Sequence, residues 1–574
     1  METETKACQN CKKDFLIESN DLLFYERMKV PLPSWCSECR MVRRLVFRNE
    51  RSLFRRKNAL TDKDLFSGFP PEANLNTYEN DYWFGDQWDP TDYQMSYDFS
   101  KPFFEQFKEL FSKVPLPAKS TAGFMVNSDY CNEVSSLRNA YLCFDADFVE
   151  NSAYLVKATN VNNSFDSHEV IENELCYEDV MVYKSYRTFF SLDCESCVDV
   201  WFSKGLKACT NCFGCVNLTG KSYYFFNEPL SKEEYENKIS QLNLDSHQSI
   251  ISLRQKVLDF WKKFPVKYYH GIRNINCTGE RISDSKNVLD SVSIQGGENL
   301  RYVQISVLKA TNSYDCVQLF LGAENAYECV TCGEGVYNLK YSFNCWEESR
   351  DLEYSAYCVG SSNCFGCVGL KNKQYCILNK QYTKEEYFEL REKIIKHMDE
   401  LPYVDSLNRK FKYGEFFPAE FSPLAYNESL VQDYIPLDSK EAKEKGFLWR
   451  EPNPREFDIT IIAKDLADSI KNVSEDILNE VIQCESCKRA YRIINNEFQF
   501  YKRIGIPIPH KCHNCRFLDR YQFINKIKLY DRACMCNKKH THLEGKCDAS
   551  FRTSYSLDQP DIVYCEKCYQ QEIY

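Results

Sequence analysis

From Asn139 the chain repeats short apolar runs at near-constant steps, each opened by an asparagine: NAYLCF from Asn139, NSAYLV from Asn151, NSFDS from Asn163 and NELCYED from Asn173. Runs this short do not make helices. A turn residue paired with a β-prone run at a near-constant period marks a solenoid, whose stacked coils bury a shared core. With two or more such steps to a coil, the pattern predicts a parallel β-helix with cysteines, tyrosines and asparagines in ladders. A longer repeat is laid over this rhythm: NCFGCVNLTGKSYYFFNEPLSKEEYENKI at 211–239 returns as NCFGCVGLKNKQYCILNKQYTKEEYFELREKI at 363–394, with Asn211 mapping onto Asn363.

Each copy ends in SKEEY or TKEEY, a helix start with Ser231 or Thr383 as N-cap and glutamates in the first turn. These helices are expected to cover the open end of a solenoid, which otherwise exposes unpaired strand edges. Residues 246–264 continue helically, and YHGIRNINCTGE leads into the second set of coils. The fold class expected is mainly β: a duplicated, parallel β-helix-like solenoid with capping helices, flanked by two cysteine-framed modules.

Those modules frame the chain. Cys8, Cys11, Cys36 and Cys39 recur as Cys484, Cys487, Cys512 and Cys515, each set being two Cys-x2-Cys pairs separated by the same length of chain. The offset between the copies is constant, and it carries Phe24-Tyr25 onto Phe500-Tyr501 and Arg40 onto Arg516. Two tight thiolate pairs are what a closed, structural zinc site requires. Alternation in RAYRIINNEFQFYKR predicts a short hairpin between the pairs.

The order CxxC, FY, P, CxxCR resembles the small bacterial family of zinc-ribbon, or treble-clef, domains. The whole chain is similar to large cysteine-rich proteins of candidate-phyla bacteria, with a ribbon at each end and repeats between. That resemblance implies an architecture and no activity. In such proteins a further cysteine quartet follows the N-terminal ribbon; here the matching region has no cysteine. The C-terminal copy does offer one, from Cys547, Cys565 and Cys568 with Cys534 or Cys536 as fourth ligand and His540 and His542 as competitors. Three zinc ions are therefore expected, one at the front and two at the back.

The divisions that follow are 1–60, ribbon with basic segment; 61–124, aromatic linker and helix; 125–230, first solenoid; 231–284, helical cap and connector; 285–380, second solenoid; 381–400, capping helix; 401–475, an extended Pro-containing strap; and 476–574, a double ribbon.

Charge adds one candidate interface. After the first ribbon, Arg40, Arg43, Arg44, Arg48, Arg51, Arg55, Arg56 and Lys57 are opposed by Glu50 alone. Such a run can follow a phosphate backbone, with Phe47 and Phe54 stacking on bases; it can equally be a solvated helix face or a dock for this protein's own acidic surface. The net charge of −11 argues against a surface that binds nucleic acid everywhere.

Thirty cysteines without a secretory leader or an apolar span read as a cytoplasmic protein with reduced thiols, held by metal or by burial. Cys209, Cys212, Cys215, Cys364 and Cys367 fit small buried ladder positions better than ligands. Asp145, Asp147, Asp166 and Glu169 read as solvated turn residues, and no P-loop, dinucleotide fingerprint, nucleophile elbow or zinc-protease helix appears. The functional expectation is a zinc-binding, non-catalytic scaffold with a ribbon at each end of a rod, for RNA or a ribonucleoprotein. Its alternatives are a protein-interaction scaffold and a carbohydrate-active enzyme on the β-helix.

Overall fold

The computed structural model describes residues 3–573 except 308, 321, 323, 333–337, 346–347, 452–456, 526 and 540–544. The chain is mainly β, a solenoid of about 20 turns in all with few helices. The expected two or more steps per coil is corrected by the strand register. Val156 pairs with Phe144 before it and His168 after it, so a single step of the repeat closes one full coil. The second solenoid is built in the same way, with Lys286 beside Glu298 and Gln304 beside Val317.

So tight a coil turns its corners with left-handed residues. Positive φ recurs at every third position, for instance Asp145, Phe148, Asn151, Tyr154 and Lys157. Asparagine tolerates that conformation best among non-glycine residues, and at the corner it also bonds to its counterpart on the next coil. Asn127 donates to Asn139 and Asn139 to Asn151, both at 3.0 Å, and Asn276, Asn287, Asn299 and Asn312 form the same ladder in the second solenoid.

The interior takes every third residue too: Cys143, Ala146, Val149, Leu155, Ala158 and Val161 are all buried. Small and aliphatic groups fill most of the bore, which explains the cysteines. Cys209, Cys212, Cys215, Cys364 and Cys367 lie buried in these cores.

Strands from Thr121–Val126 to Glu228–Pro229 make the first solenoid, and those from Gly271–Ile272 to Lys380–Gln381 the second. Each ends as expected. The Lys232–Ser240 and Lys384–Glu400 helices carry capping boxes at Ser231 and Thr383, and bury Tyr235 and Tyr387. The His247–Trp261 helix leads to the second solenoid. Residues 401–451 carry the Tyr403–Val404 and Lys410–Phe411 strand pair and the short helices Val431–Tyr434 and Ser439–Glu444, and their Phe416 and Phe417 are buried in a core shared with the N-terminal module and the second solenoid.

The expected hairpin between the cysteine pairs is a helix in both modules, Ser19–Met28 and Asn495–Ile504. Buried Asp21, Phe24, Tyr25 and Met28 fall at i, i+3, i+4 and i+7, one helical face. Carboxylates at Asp21 and Glu497 accept the backbone N–H of Glu18 and Ile494, which starts the helix in each.

Candidate metal centres and the cleft they brace

Three groups of four cysteines converge: Cys8, Cys11, Cys36, Cys39; Cys484, Cys487, Cys512, Cys515; and Cys534, Cys547, Cys565, Cys568. Each places its last two cysteines at a helix N-terminus, on Ser37–Leu45, His513–Tyr521 and Glu566–Ile573, where the helix dipole favours thiolates. A backbone N–H bonds a sulfur in the same way in all three, from Cys36 to Cys8, Cys512 to Cys484 and Cys565 to Cys534, each at 3.2 Å.

Sulfur pairs stand 3.8 Å apart for Cys11 and Cys36, 3.6 Å for Cys487 and Cys512, and 4.0 Å for Cys547 and Cys565. A tetrahedron with metal–sulfur bonds of about 2.3 Å has an edge of about 3.8 Å. The electrostatics agree. Hydrogen bonds from Cys36 and Cys39 hold the Cys8 thiol far below its ordinary range, while contacts with Cys36 and Cys8 push Cys39 up. Burial raises Cys484, but N–H groups of Cys512, Cys487 and Ser486 outweigh it and bring the thiol to about 7. Crowded sulfurs, one drawn toward the thiolate and its neighbours pushed away from it, are what a cation relieves.

Cys534, not Cys536, completes the third group; Cys536 is buried beside it. His540 and His542, the competitors for that position, lie outside the described residues.

The cysteine-free region at the front keeps the same framework. The hairpin of Phe54–Lys57 with Asp64–Ser67 and the Asn80–Phe84 helix match Tyr530–Ala533, Ser550–Thr553 and Glu566–Ile573. Asn58 stands where Cys534 stands in the copy and holds its turn by accepting the N–H of Leu60 at 2.9 Å. Buried Trp83, donating to the Pro115 carbonyl at 2.8 Å, anchors the helix in place of two ligands.

The expectation of an outward arginine face for nucleic acid is corrected for most of the run, which turns inward and forms the other expected arrangement, a dock on this protein's own acidic residues. Arg40, Arg43, Arg44 and Arg48 are at most 2% exposed. Asp315 of the second solenoid accepts from Arg40 at 2.8 Å and from Arg44 at 3.0 Å. Arg43 reaches Glu328 at 2.7 Å and Glu415 at 2.8 Å. Arg51 pairs with Asp433 and lies 3.5 Å over the Phe517 ring, and Arg56 donates to the carbonyls of Pro70 and Leu75. Exposed Arg55 and Lys57 both pair with Asp64. Phe47 is buried against Phe343 and Phe416 rather than free to stack on a base.

The C-terminal module repeats the lock on the other solenoid. Asp166 accepts from Arg516 at 2.9 Å and from Arg520 at 3.1 Å, and Arg520 also meets Glu178. The preceding ring completes each dock: Phe24 stacks on Tyr314 at 3.9 Å, and Phe500 packs on Phe165 at 4.7 Å. The acids Asp315, Glu328, Glu415 and Glu178 escaped sequence reasoning. The available signal was that NSFDS at 163–167 recurs as NSYDC at 312–316.

Each terminal pair of submodules thus grips both solenoids. The N-terminal half that locks on Asp315 continues into Thr77–Tyr78, which pairs with Leu116–Pro117 at the entrance of the first solenoid. The C-terminal half that locks on Asp166 continues into Val563–Tyr564, which pairs with Val266–Lys267 at the entrance of the second. The modules are not the free ends of a rod.

Between the solenoids lies a cleft of about 2380 Å3. Its walls meet where Gln318 donates to Asp145 at 2.9 Å, Arg281 stands 3.7 Å from Glu169, and Arg48 bonds both Glu133 and Thr331. The acids expected as solvated turns are therefore wall or docking residues. Asp166 is fully buried, and Asp147 is raised to about 6 by burial and by Asp145. His168, buried beside Phe517 and Tyr521, is held well below the usual imidazole range by burial. Among the described residues lining the cleft, 13 are Asp or Glu and 8 are Lys or Arg.

No known family model matches the chain, and no curated protein matches its sequence. Among the described residues, no helix is long and apolar enough to cross a membrane.

Proposed function

We propose that the protein is a zinc-stabilised, non-catalytic binding scaffold of the cytoplasm whose ligand is a basic segment of another polypeptide, held in the cleft between the solenoids. The observation that carries this reading is the carboxylate excess of the cleft, 13 acidic against 8 basic residues. A polyanion entering there meets net repulsion, whereas a lysine- and arginine-rich chain is attracted and steered in. RNA, the first expectation, is disfavoured because Arg40, Arg43 and Arg44 are spent on Asp315, Glu328 and Glu415. Zinc is favoured at the cysteine sites because four thiolates in a closed tetrahedral set suit a structural zinc ion.

The test is fluorescence anisotropy with two labelled probes, a short lysine-rich peptide and an oligouridine of similar length. Salt-sensitive peptide binding is expected. It should be lost on Glu172→Lys with Glu195→Lys, which reverse charge on the cleft wall, and kept on Glu233→Lys with Glu389→Lys, which lie elsewhere. Binding of the oligouridine and not of the peptide would return the reading to RNA.

One observation favours a second reading, polysaccharide cleavage in the same cleft: a carboxyl raised to about 6, as at Asp147, suits a general acid. Its check is release of reducing ends from a polysaccharide panel, abolished by Asp147→Asn.

A further inference from the structure

A fourth group of metal-ligating side chains lies outside the cysteine sites, on the outer edge of the C-terminal module. His247, Glu485 and His510 offer ligand atoms that all lie within 4.8 Å of one another. They come from separate segments. Glu485 follows the first cysteine of its pair, His510 sits just before Lys511 and Cys512, and the backbone N–H of Glu485 donates to the His510 carbonyl at 3.0 Å. His247 opens the His247–Trp261 helix.

Asp468 pins that helix start to the strap, whose Ile461–Ile462 strand pairs with Ile482–Gln483 just before the first cysteine of the module. The N–H of His247 donates to its carbonyl at 2.8 Å, while Ser246 Oγ and the N–H of Gln248 donate to its carboxylate at 2.7 and 2.9 Å. The Cα position of His247 is therefore fixed by hydrogen bonds, one of them backbone to backbone. Two carboxylates, Glu485 and Asp468, offset the positive end of the helix that would otherwise repel a cation.

The imidazole rings of His247 and His510 lie face to face with centroids 3.5 Å apart and planes within 8°. His510 Nε2 is buried and has no hydrogen-bond partner. A buried ring nitrogen left unpaired costs free energy that a ligand bond would recover. The ligand atoms of the two rings lie within 4.8 Å of each other, and a turn of one ring about its soft Cβ–Cγ torsion suffices to bring both onto one ion.

The sister module shows that the fold does not need these groups. At the matching positions of the N-terminal copy stand Gln9 and Ser34, which bond to each other at 3.0 Å, and Ser34 Oγ donates to Glu415 at 2.5 Å. One copy of the framework carries an ordinary hydrogen-bond pair; the other carries two thirds of a donor set.

We propose that His247, Glu485 and His510 bind a single divalent d-block cation such as Zn2+, with a coordination position left open to solvent. Two imidazoles and one carboxylate are a ligand set that leaves tetrahedral zinc one exchangeable site. Glu485 is exposed and both histidines are half-buried, so water or a small anion can reach that position. This ion differs in kind from those in the closed cysteine sites.

The experiment is elemental analysis of the full-length protein after zinc saturation and desalting, repeated on Co2+-loaded protein by absorption. Four ions per chain are expected in the wild type. Three are expected in His247→Ala, and three in the double change Glu485→Gln with His510→Ser, which installs the pair that the N-terminal module already folds around. With cobalt, the ion lost in the variants should carry no sulfur-to-metal charge-transfer absorption. A wild type that saturates at three ions, or a double variant that still holds four, would overturn the proposal. Fewer than three sulfur-bound cobalt ions would count against the cysteine sites instead, since those alone give the charge-transfer bands.

Discussion

Asp166 in the first solenoid and Asp315 in the second are the same device used twice: each is a buried anion on which two arginines of one terminal helix close, Arg516 and Arg520 on the former, Arg40 and Arg44 on the latter. The duplicated modules thus have a mechanical reason to lie at both ends of the chain. Each reaches the solenoid that the other does not lock.

Removing either anion leaves two guanidinium groups buried without their shared partner. Asp315→Asn and Asp166→Asn are each expected to destabilise the protein by about 3–5 kcal/mol, the cost of breaking a buried pair from one side. Denaturant titration of the metal-loaded protein checks this. A loss below about 1 kcal/mol would mean that the aromatic contacts, not the ion pairs, hold the modules.

Arginine substitutions should divide by burial rather than by position in the run. Arg43→Glu breaks its pairs with Glu328 and Glu415 and sets three acids together, so it should prevent stable folding. Arg55→Glu, at an exposed pair with Asp64, should stay within about 0.5 kcal/mol of the wild type. Thermal melts of the two variants separate the cases.

The third cysteine site makes a sharp distinction between two neighbouring thiols. Cys534→Ser should remove one sulfur-bound metal ion per chain, and Cys536→Ser none, as counted by elemental analysis. Equal losses from both would contradict the assignment of Cys534 as the fourth ligand.

Stability should carry the signature of a carboxyl buried in the first solenoid. Asp179 accepts from Thr188 Oγ1 at 2.6 Å and from the N–H of Ser191 at 2.9 Å, and burial pushes its carboxyl up to about 7. In the unfolded chain it titrates near 4. Between those values the folded state holds the extra proton, so this group's contribution to stability falls as pH rises from about 4 to about 7. Asp179→Asn should flatten that part of the pH–stability profile, with an effect on the order of 1 kcal/mol or more at pH 7. An unchanged slope in the variant would exclude Asp179 as its source.

The cysteine pairs were legible because metal ligation demands a fixed spacing, and the capping helices because SKEEY and TKEEY state their own N-caps. The solenoid was legible as a period but not as a coil. Whether a step such as Asn139 to Asn151 closes one turn depends on left-handed corners at every third position, and residues such as Phe148, Tyr154 and Lys157 do not advertise that conformation. The terminal helices are masked by the alternation in RAYRIINNEFQFYKR, which reads as a hairpin until the carboxylates at Asp21 and Glu497 are recognised as helix starts. Whether the arginine run faces outward or docks on this protein is not legible in the sequence, because its partners Asp315, Glu328 and Glu415 belong to segments far along the chain. A sequence displays a charge, not the distant group that neutralises it.

Hydrogen exchange on the metal-loaded and the chelated protein tests the bracing most directly. If the modules are metal-held clamps, chelation will release protection not only around the cysteines but also in the docking coils 163–168 and 312–317, which contain no metal-ligating cysteine. Deprotection confined to the cysteine turns, with both docking coils unchanged, would show that the solenoids hold together without them.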